Sequence, residues 1–139
     1  MAYDPNNIFA RMVRGEIPCI RVFEDADTVA FMDIMPQADG HTLVIPKVAG
    51  ENLYETPPES VAAAIRTTQK VARAVQKAFA APGLIVTQFN GQTAGQTVFH
   101  LHFHIVPVYA AGGWRPHARD KADPAVLEEH ARRIRAALA

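Results

Sequence analysis

The stretch Val98-Phe99-His100-Leu101-His102-Phe103-His104-Ile105-Val106 alternates imidazole and apolar side chains with a period of two. Successive side chains along a strand point to opposite faces. The period therefore predicts a strand over 98–108 with His100, His102 and His104 on one face and Phe99, Leu101, Phe103 and Ile105 turned into a core. Three of the chain's six histidines fall in this row. A row so dense is not a solvated strand face that happens to hold histidines, and a well-anchored strand would fix the ring positions as chemistry requires.

The rest of the chain supplies elements to hold such a strand. Asp4 is the candidate N-cap of a short helix carrying Ile8, Phe9, Met12 and Val13, with Pro5 in its first turn and Gly15 ending it. Segments 21–24 and 28–32 flank Asp25-Ala26-Asp27 as a hairpin, and 41–45 is a third strand stopped by Pro46. Thr56-Pro57-Pro58-Glu59 resembles a capping box. After it, Val61, Ile65, Thr68, Val71, Ala72, Val75 and Phe79 recur at helical spacing to about Ala80, with Gly83 beyond. A fourth strand is expected over 84–89, and Asp123-Pro124 opens a last helix with Leu127, Ile134 and Leu138 on one face. The order α-β-β-β-α-β-β-α predicts one α+β domain over 1–139, with a mainly antiparallel sheet of about five strands, a short N-terminal helix, one long helix and a C-terminal helix.

Composition narrows the function. Fourteen basic and fourteen acidic residues leave a formal net charge of zero. No overall field favours nucleic acid or an anionic membrane, so an anionic ligand would need a local site. A single cysteine, Cys19, excludes an internal disulfide framework and Cys-rich zinc sites. The opening MAYDPNNIF has no basic segment followed by an apolar run, and no stretch is long enough to span a membrane, so a cytoplasmic location is expected.

Directly before the histidine row lies Asn90-Gly91-Gln92-Thr93-Ala94-Gly95-Gln96-Thr97. Glycines let the backbone approach a ligand, turn N–H groups can cradle an anion, and Asn90, Gln96 and Thr97 add neutral donors. Neutral donors beside imidazoles suit a phosphate. Metal binding is the rival reading, since histidines at i and i+2 can share a zinc. The sequence has no cysteine pair, no His-Glu-x-x-His and no carboxylate adjoining the row, so neither metal nor cofactor is expected.

The segment from Gly95 to Val106 resembles the signature of the histidine triad (HIT) superfamily, His-φ-His-φ-His-φ-φ with φ apolar. Ile8-Phe9 with Gly15-Glu16-Ile17-Pro18, Phe31-Met32-Asp33-Ile34 and Gly40-His41-Thr42-Leu43-Val44-Ile45-Pro46-Lys47 are similar to its Hint branch and bacterial relatives. The likeness spans residues 7 to about 109.

The resemblance implies the HIT fold and a nucleotide hydrolase in which His102 is the nucleophile. It attacks an α-phosphate and forms a nucleotidyl-imidazole as the leaving group departs, and water then releases the nucleoside monophosphate. His104 is expected to donate to the phosphate or the leaving-group bridge. His100 and His41 are expected to orient the row from behind. The resemblance places Asn90, Gly95, Gln96 and Thr97 on the phosphate, Asp33 on the ribose hydroxyls, and Ile8, Phe9, Phe31 and Ile34, with Met12 and Ile17, on the walls of a purine pocket. It further implies a phosphoramidate or adenylate substrate, with a dinucleoside polyphosphate as the alternative and a nucleotide-binding module with little turnover as the reading from another class. A homodimer is expected, to which the small apolar residues of the helix over 57–80 lend weak support.

Three departures stand out. Asn7 and Ala10 occupy positions where many bacterial relatives have zinc-binding cysteines, and Ala49 falls where a zinc histidine would be. Pro107-Val108-Tyr109 lacks the Pro-Arg of many dinucleoside-polyphosphate hydrolases. Trp114, Arg115 and His117 follow no assignable pattern, although Trp114 and Arg115 are hypothetical substrate contacts across a dimer.

Overall fold

The computed structural model describes residues 2–110 and 120–138. The sequence reading of Trp114, Arg115 and His117 therefore lies outside the described residues. Among the described residues three α-helices, α1 (Ile8–Val13), α2 (Pro58–Phe79) and α3 (Pro124–Leu138), accompany five strands: β1 (Arg21–Glu24), β2 (Thr28–Met32), β3 (Thr42–Pro46), β4 (Gly83–Thr87) and β5 (Phe103–Val108). The strands form one sheet in the order β1-β2-β3-β5-β4, antiparallel at every pairing. The α+β class expected from the element order is what the chain adopts.

Both faces of the central strands are covered, which explains why every residue of β2 and β3 is buried. One face carries Val22, Ala30, Met32, Val44 and Ile105 against Val71, Ala74 and Val75 of α2 and Leu127, Ala131 and Ile134 of α3. The other carries Val29, Phe31, Leu43 and Ile45 against Phe9 and Met12 of α1. Pairing of Phe31 with Leu43 and of Leu43 with His104 lines these three side chains up on the α1 face. That register decides which side of the sheet receives the chemistry.

Local chemistry sets the helix ends, with two corrections to the sequence reading. Asn7, not Asp4, caps α1: its Oδ1 accepts from Ala10 N at 2.9 Å, while Asp4 Oδ1 accepts from Asn6 N in the preceding turn. Asp4 lies one turn too early to meet an unpaired donor of the helix. Thr56 does not cap α2; its hydroxyl donates to Asn52 O at 2.7 Å, and Pro57 takes the cap place without a side-chain bond. The first-turn prolines have no N–H that needs a partner, so little is lost. At the other end Ala80 adopts the left-handed conformation, φ 48°, and its N–H returns to Gln76 and Lys77. Gly83, just beyond, is the first residue of β4.

The largest correction concerns the histidine strand. Regular pairing begins at Phe103, not Val98, so His100 and His102 stand on irregular backbone and only His104 lies within β5. Continuing the β3–β5 register would set Pro46 opposite Leu101. Pro46 has no N–H to give, its carbonyl accepts instead from the His100 ring, and Leu101 N donates to Gly50 O at 2.9 Å. The ladder ends because its partners are engaged elsewhere.

Candidate active site

On the α1 face a pocket, open at its mouth, is lined by Ile8, Phe9, Phe31, Asp33, Ile34 and Thr97 with His102 and His104. Met12 lines it as well, whereas Ile17 packs in the neighbouring cluster. The predominantly apolar walls with a few convergent polar groups are those of a small-molecule site. Phe9 is the keystone: its ring meets Phe31 edge-on at 5.2 Å and His102 edge-on at 4.9 Å. The sequence reading did not single out Met35, Leu43 and Val98, which also line the pocket. Leu43 had a usable signal, because it alternates onto the same face as His41 and Ile45.

The histidines do not form a single row. The His102 and His104 rings adjoin, with centroids 5.0 Å apart, and both reach the pocket. His100 turns its ring to Pro46 O, 2.7 Å from Nε2, and to the Tyr3 hydroxyl, 2.6 Å from Nδ1. It reaches His102 through its backbone: His100 O lies 2.7 Å from His102 Nδ1. Burial pushes the His100 imidazole below its ordinary pKa, against the opposing pull of the Pro46 carbonyl, and so keeps it neutral.

These contacts set the tautomers. A carbonyl only accepts, so His102 carries its proton on Nδ1 and its lone pair on Nε2. His41, fully buried, accepts from Gln37 N at its Nδ1, 3.0 Å away, so its proton sits on Nε2. That Nε2 lies 3.0 Å from His104 Nδ1, which must then accept, and His104 carries its proton on Nε2. The result is one imidazole with its lone pair on Nε2 beside one with its proton on Nε2, the first set by the carbonyl two residues before it and the second by the Gln37 amide relayed through His41.

The loop before the triad departs from expectation in detail. Thr97 lines the pocket, but Gln96 is buried with its amide turned to the backbone. Its Oε1 accepts from Gly91 N at 2.8 Å, and its Nε2 donates to Glu51 O at 2.6 Å and to Val98 O at 3.0 Å. A buried amide must satisfy both ends, and here the loop itself does so. Asn90 likewise holds Leu53 N and pairs with Gln88. Gly95, φ 109°, closes the tight turn over Gln92–Ala94. Asn90, Gly95 and Gln96 thus shape the loop and do not line the pocket.

Asp33 brings a carboxylate to the histidines that linear spacing concealed. Its Oδ2 lies 3.4 Å from His41 Nε2, and its Oδ1 accepts from Met35 N at 2.8 Å. Among the described residues, Asp33, His41 and His104 are the group whose ligand atoms, all within 4.8 Å of one another, could surround a cation. The Gln37 N–H works against this use. A metal on His41 Nε2 would force the ring proton onto Nδ1, directly against that donor.

Comparison with known proteins agrees with this geometry. A family model described as "HIT domain" matches residues 14–111. The chain is 42% identical over 120 residues to "Protein hit" of Bacillus subtilis, covering 83% of each chain. It is 41% identical over 100 residues to "Adenosine 5'-monophosphoramidase hnt1" of Schizosaccharomyces pombe, covering 72% of each. Its fold superposes with a TM-score of 0.92, at 52% identity and 99% coverage of both chains, on a crystal structure of a Hit-like protein involved in cell-cycle regulation from Bartonella henselae. With two imidazoles of opposed tautomer beside an apolar slot and a match spanning most of its length, this chain belongs to the HIT family.

Proposed function

We propose that the chain is a nucleotide hydrolase acting on purine nucleoside phosphoramidates or closely related adenylates, through a covalent intermediate on His102. The observation that carries this reading is the 2.7 Å contact between His102 Nδ1 and His100 O, which leaves the Nε2 lone pair as the nucleophile beside His104 in the pocket. Nε2 attacks the α-phosphorus, and the phosphorus–nitrogen bond to the leaving group breaks as His104 Nε2–H protonates the departing amine. Water then attacks the phosphorus of the nucleotidyl-imidazole, and the proton it loses returns to His104 Nε2. The bond to Nε2 breaks, the nucleoside monophosphate leaves, and His102 regains its lone pair. Ile8, Phe9, Phe31 and Ile34 would sandwich the base, and Asp33 would accept from the ribose hydroxyls. The activity named for the Schizosaccharomyces pombe relative supports this substrate class.

The same chemistry could act on a dinucleoside polyphosphate, and catalytic efficiency on adenosine phosphoramidate against diadenosine tetraphosphate ranks the two. His102→Ala should lose nearly all turnover while still binding AMP; an unchanged rate rejects the nucleophile. Binding of AMP by the wild type with no turnover of either substrate would instead identify a binding module. A homodimer is part of the proposal. Edge strand β4 exposes Ile85 and Val86, 39% and 46% accessible, and α2 exposes Ile65, and an apolar open edge is a pairing surface. Light scattering of the purified chain checks it.

A further inference from the structure

We propose that Tyr3 is a positioning residue of this site, one that latches the chain segment before α1 onto His100 and thereby steadies the carbonyl that orients the nucleophile His102. The inference rests on the hydrolase reading above for its catalytic consequence, and on geometry alone for the latch.

Tyr3 lies outside the segment matched by the family model, which begins at residue 14. Its hydroxyl is 2.6 Å from His100 Nδ1, and its ring meets the His100 ring edge-on with centroids 5.8 Å apart. The direction of that hydrogen bond follows from the opposite side of the imidazole. Pro46 O can only accept, so His100 Nε2 is the protonated nitrogen and Nδ1 holds the lone pair toward which Tyr3 O–H points. Both ring nitrogens of a buried histidine are thus held, one by β3 and one by the N-terminal segment. A ring fixed at two points cannot rotate, and the residue's own carbonyl is the acceptor for His102 Nδ1–H.

The latch also joins two parts of the site. The chain passes from Tyr3 through the Asp4–Asn7 turn, closed by Asn7 N to Asp4 O, into α1, whose Phe9 meets His102 from the side. One phenol therefore couples the apolar wall to the support beneath the nucleophile without lining the pocket. Burial raises the Tyr3 phenol pKa above its ordinary value, against the side chains of Asn7 and Arg14, which keeps the hydroxyl a donor at neutral pH.

Tyr3→Phe in the full chain removes the hydroxyl and keeps the ring. Turnover of adenosine phosphoramidate should fall about threefold to tenfold in kcat with KM changed less than about twofold, because the change disorders the nucleophile and not the pocket. Nitrogen-15 spectra of the imidazoles provide a readout independent of turnover. In the wild type His102 should be protonated at Nδ1 alone; in Tyr3→Phe the His100 Nδ1 signal should move toward that of an unbonded nitrogen and His102 should show a mixture of tautomers. Loss of kcat together with the mixed tautomer supports the latch. An unchanged His102 tautomer overturns it, whether or not kcat falls, since a fall alone would mean only a loosened fold. If the wild type turns over neither substrate, the hydrolase reading fails while the nitrogen spectra still decide the latch.

Discussion

Gly50 offers a sharp test of how the triad is held, because its requirement is room and not conformation. Its φ is not among the chain's positive values, so an L residue could adopt its backbone. A Cβ there would nonetheless fall on Thr56 Oγ1 and lie 2.9 Å from Thr56 Cβ and 3.0 Å from Thr56 Cα. Rotating Thr56 relieves only the first clash, and it breaks the bond from Thr56 Oγ1 to Asn52 O. The other two are relieved only by moving backbone. Overpacking of this kind costs about 1–3 kcal/mol and the lost hydrogen bond about 1 more, giving about 2–4 kcal/mol for Gly50→Ala. For a chain of this size that is a fall in Tm of about 8–16 °C. The backbone that moves includes Gly50 O, the acceptor for Leu101 N between His100 and His102. Turnover measured well below Tm should therefore fall in kcat more than in KM. Thermal unfolding by circular dichroism, with Gly50→Ala combined with Thr56→Gly as the relieving partner, separates crowding from other causes: the double variant should recover part of the loss. A Gly50→Ala chain melting within about 2 °C of wild type with unchanged kcat would refute the reasoning.

Two further outcomes follow. His100 is neutral in the fold because burial lowers its pKa, whereas in the unfolded chain it takes a proton near its ordinary value of roughly 6.5. Below that pH the unfolded state binds more protons, so the contribution is present above about pH 6.5 and is lost as pH falls toward the folded value. The Tm advantage of wild type over His100→Asn should narrow on acidification, and a constant gap would contradict the assignment. Ala80, exposed and left-handed at φ 48°, should accept glycine with a gain of about 0.5–1 kcal/mol, read as a higher urea midpoint at unchanged m-value.

The family, the hairpin, the long helix and the placing of His102 and His104 together are all legible in the linear sequence. Each rests on short-range periodicity or on a compact motif whose residues are neighbours in the chain. The apolar pocket residues Ile8, Phe9, Phe31 and Ile34 are legible for the same reason, each sitting inside a motif. Legibility fails where a backbone group from a distant element is the partner. Nothing local to the triad shows that Pro46 O claims the His100 ring, that Gly50 O claims Leu101 N, or that the strand consequently starts at Phe103. Nor does the type of an amide reveal that Asn90 holds Leu53 N or that Gln96 holds Gly91 N and Glu51 O.

The sequence by itself determined that an imidazole pair would stand beside an apolar slot, because side-chain chemistry and alternation are properties of neighbouring residues. Which nitrogen of each ring holds the proton was decided only by tertiary structure. The His100 carbonyl fixes it for His102, and the Gln37 amide, relayed through His41, fixes it for His104. The physical reason is that a neutral imidazole has two nearly equal tautomers, and the choice falls to whichever donor or acceptor the fold brings within hydrogen-bonding distance.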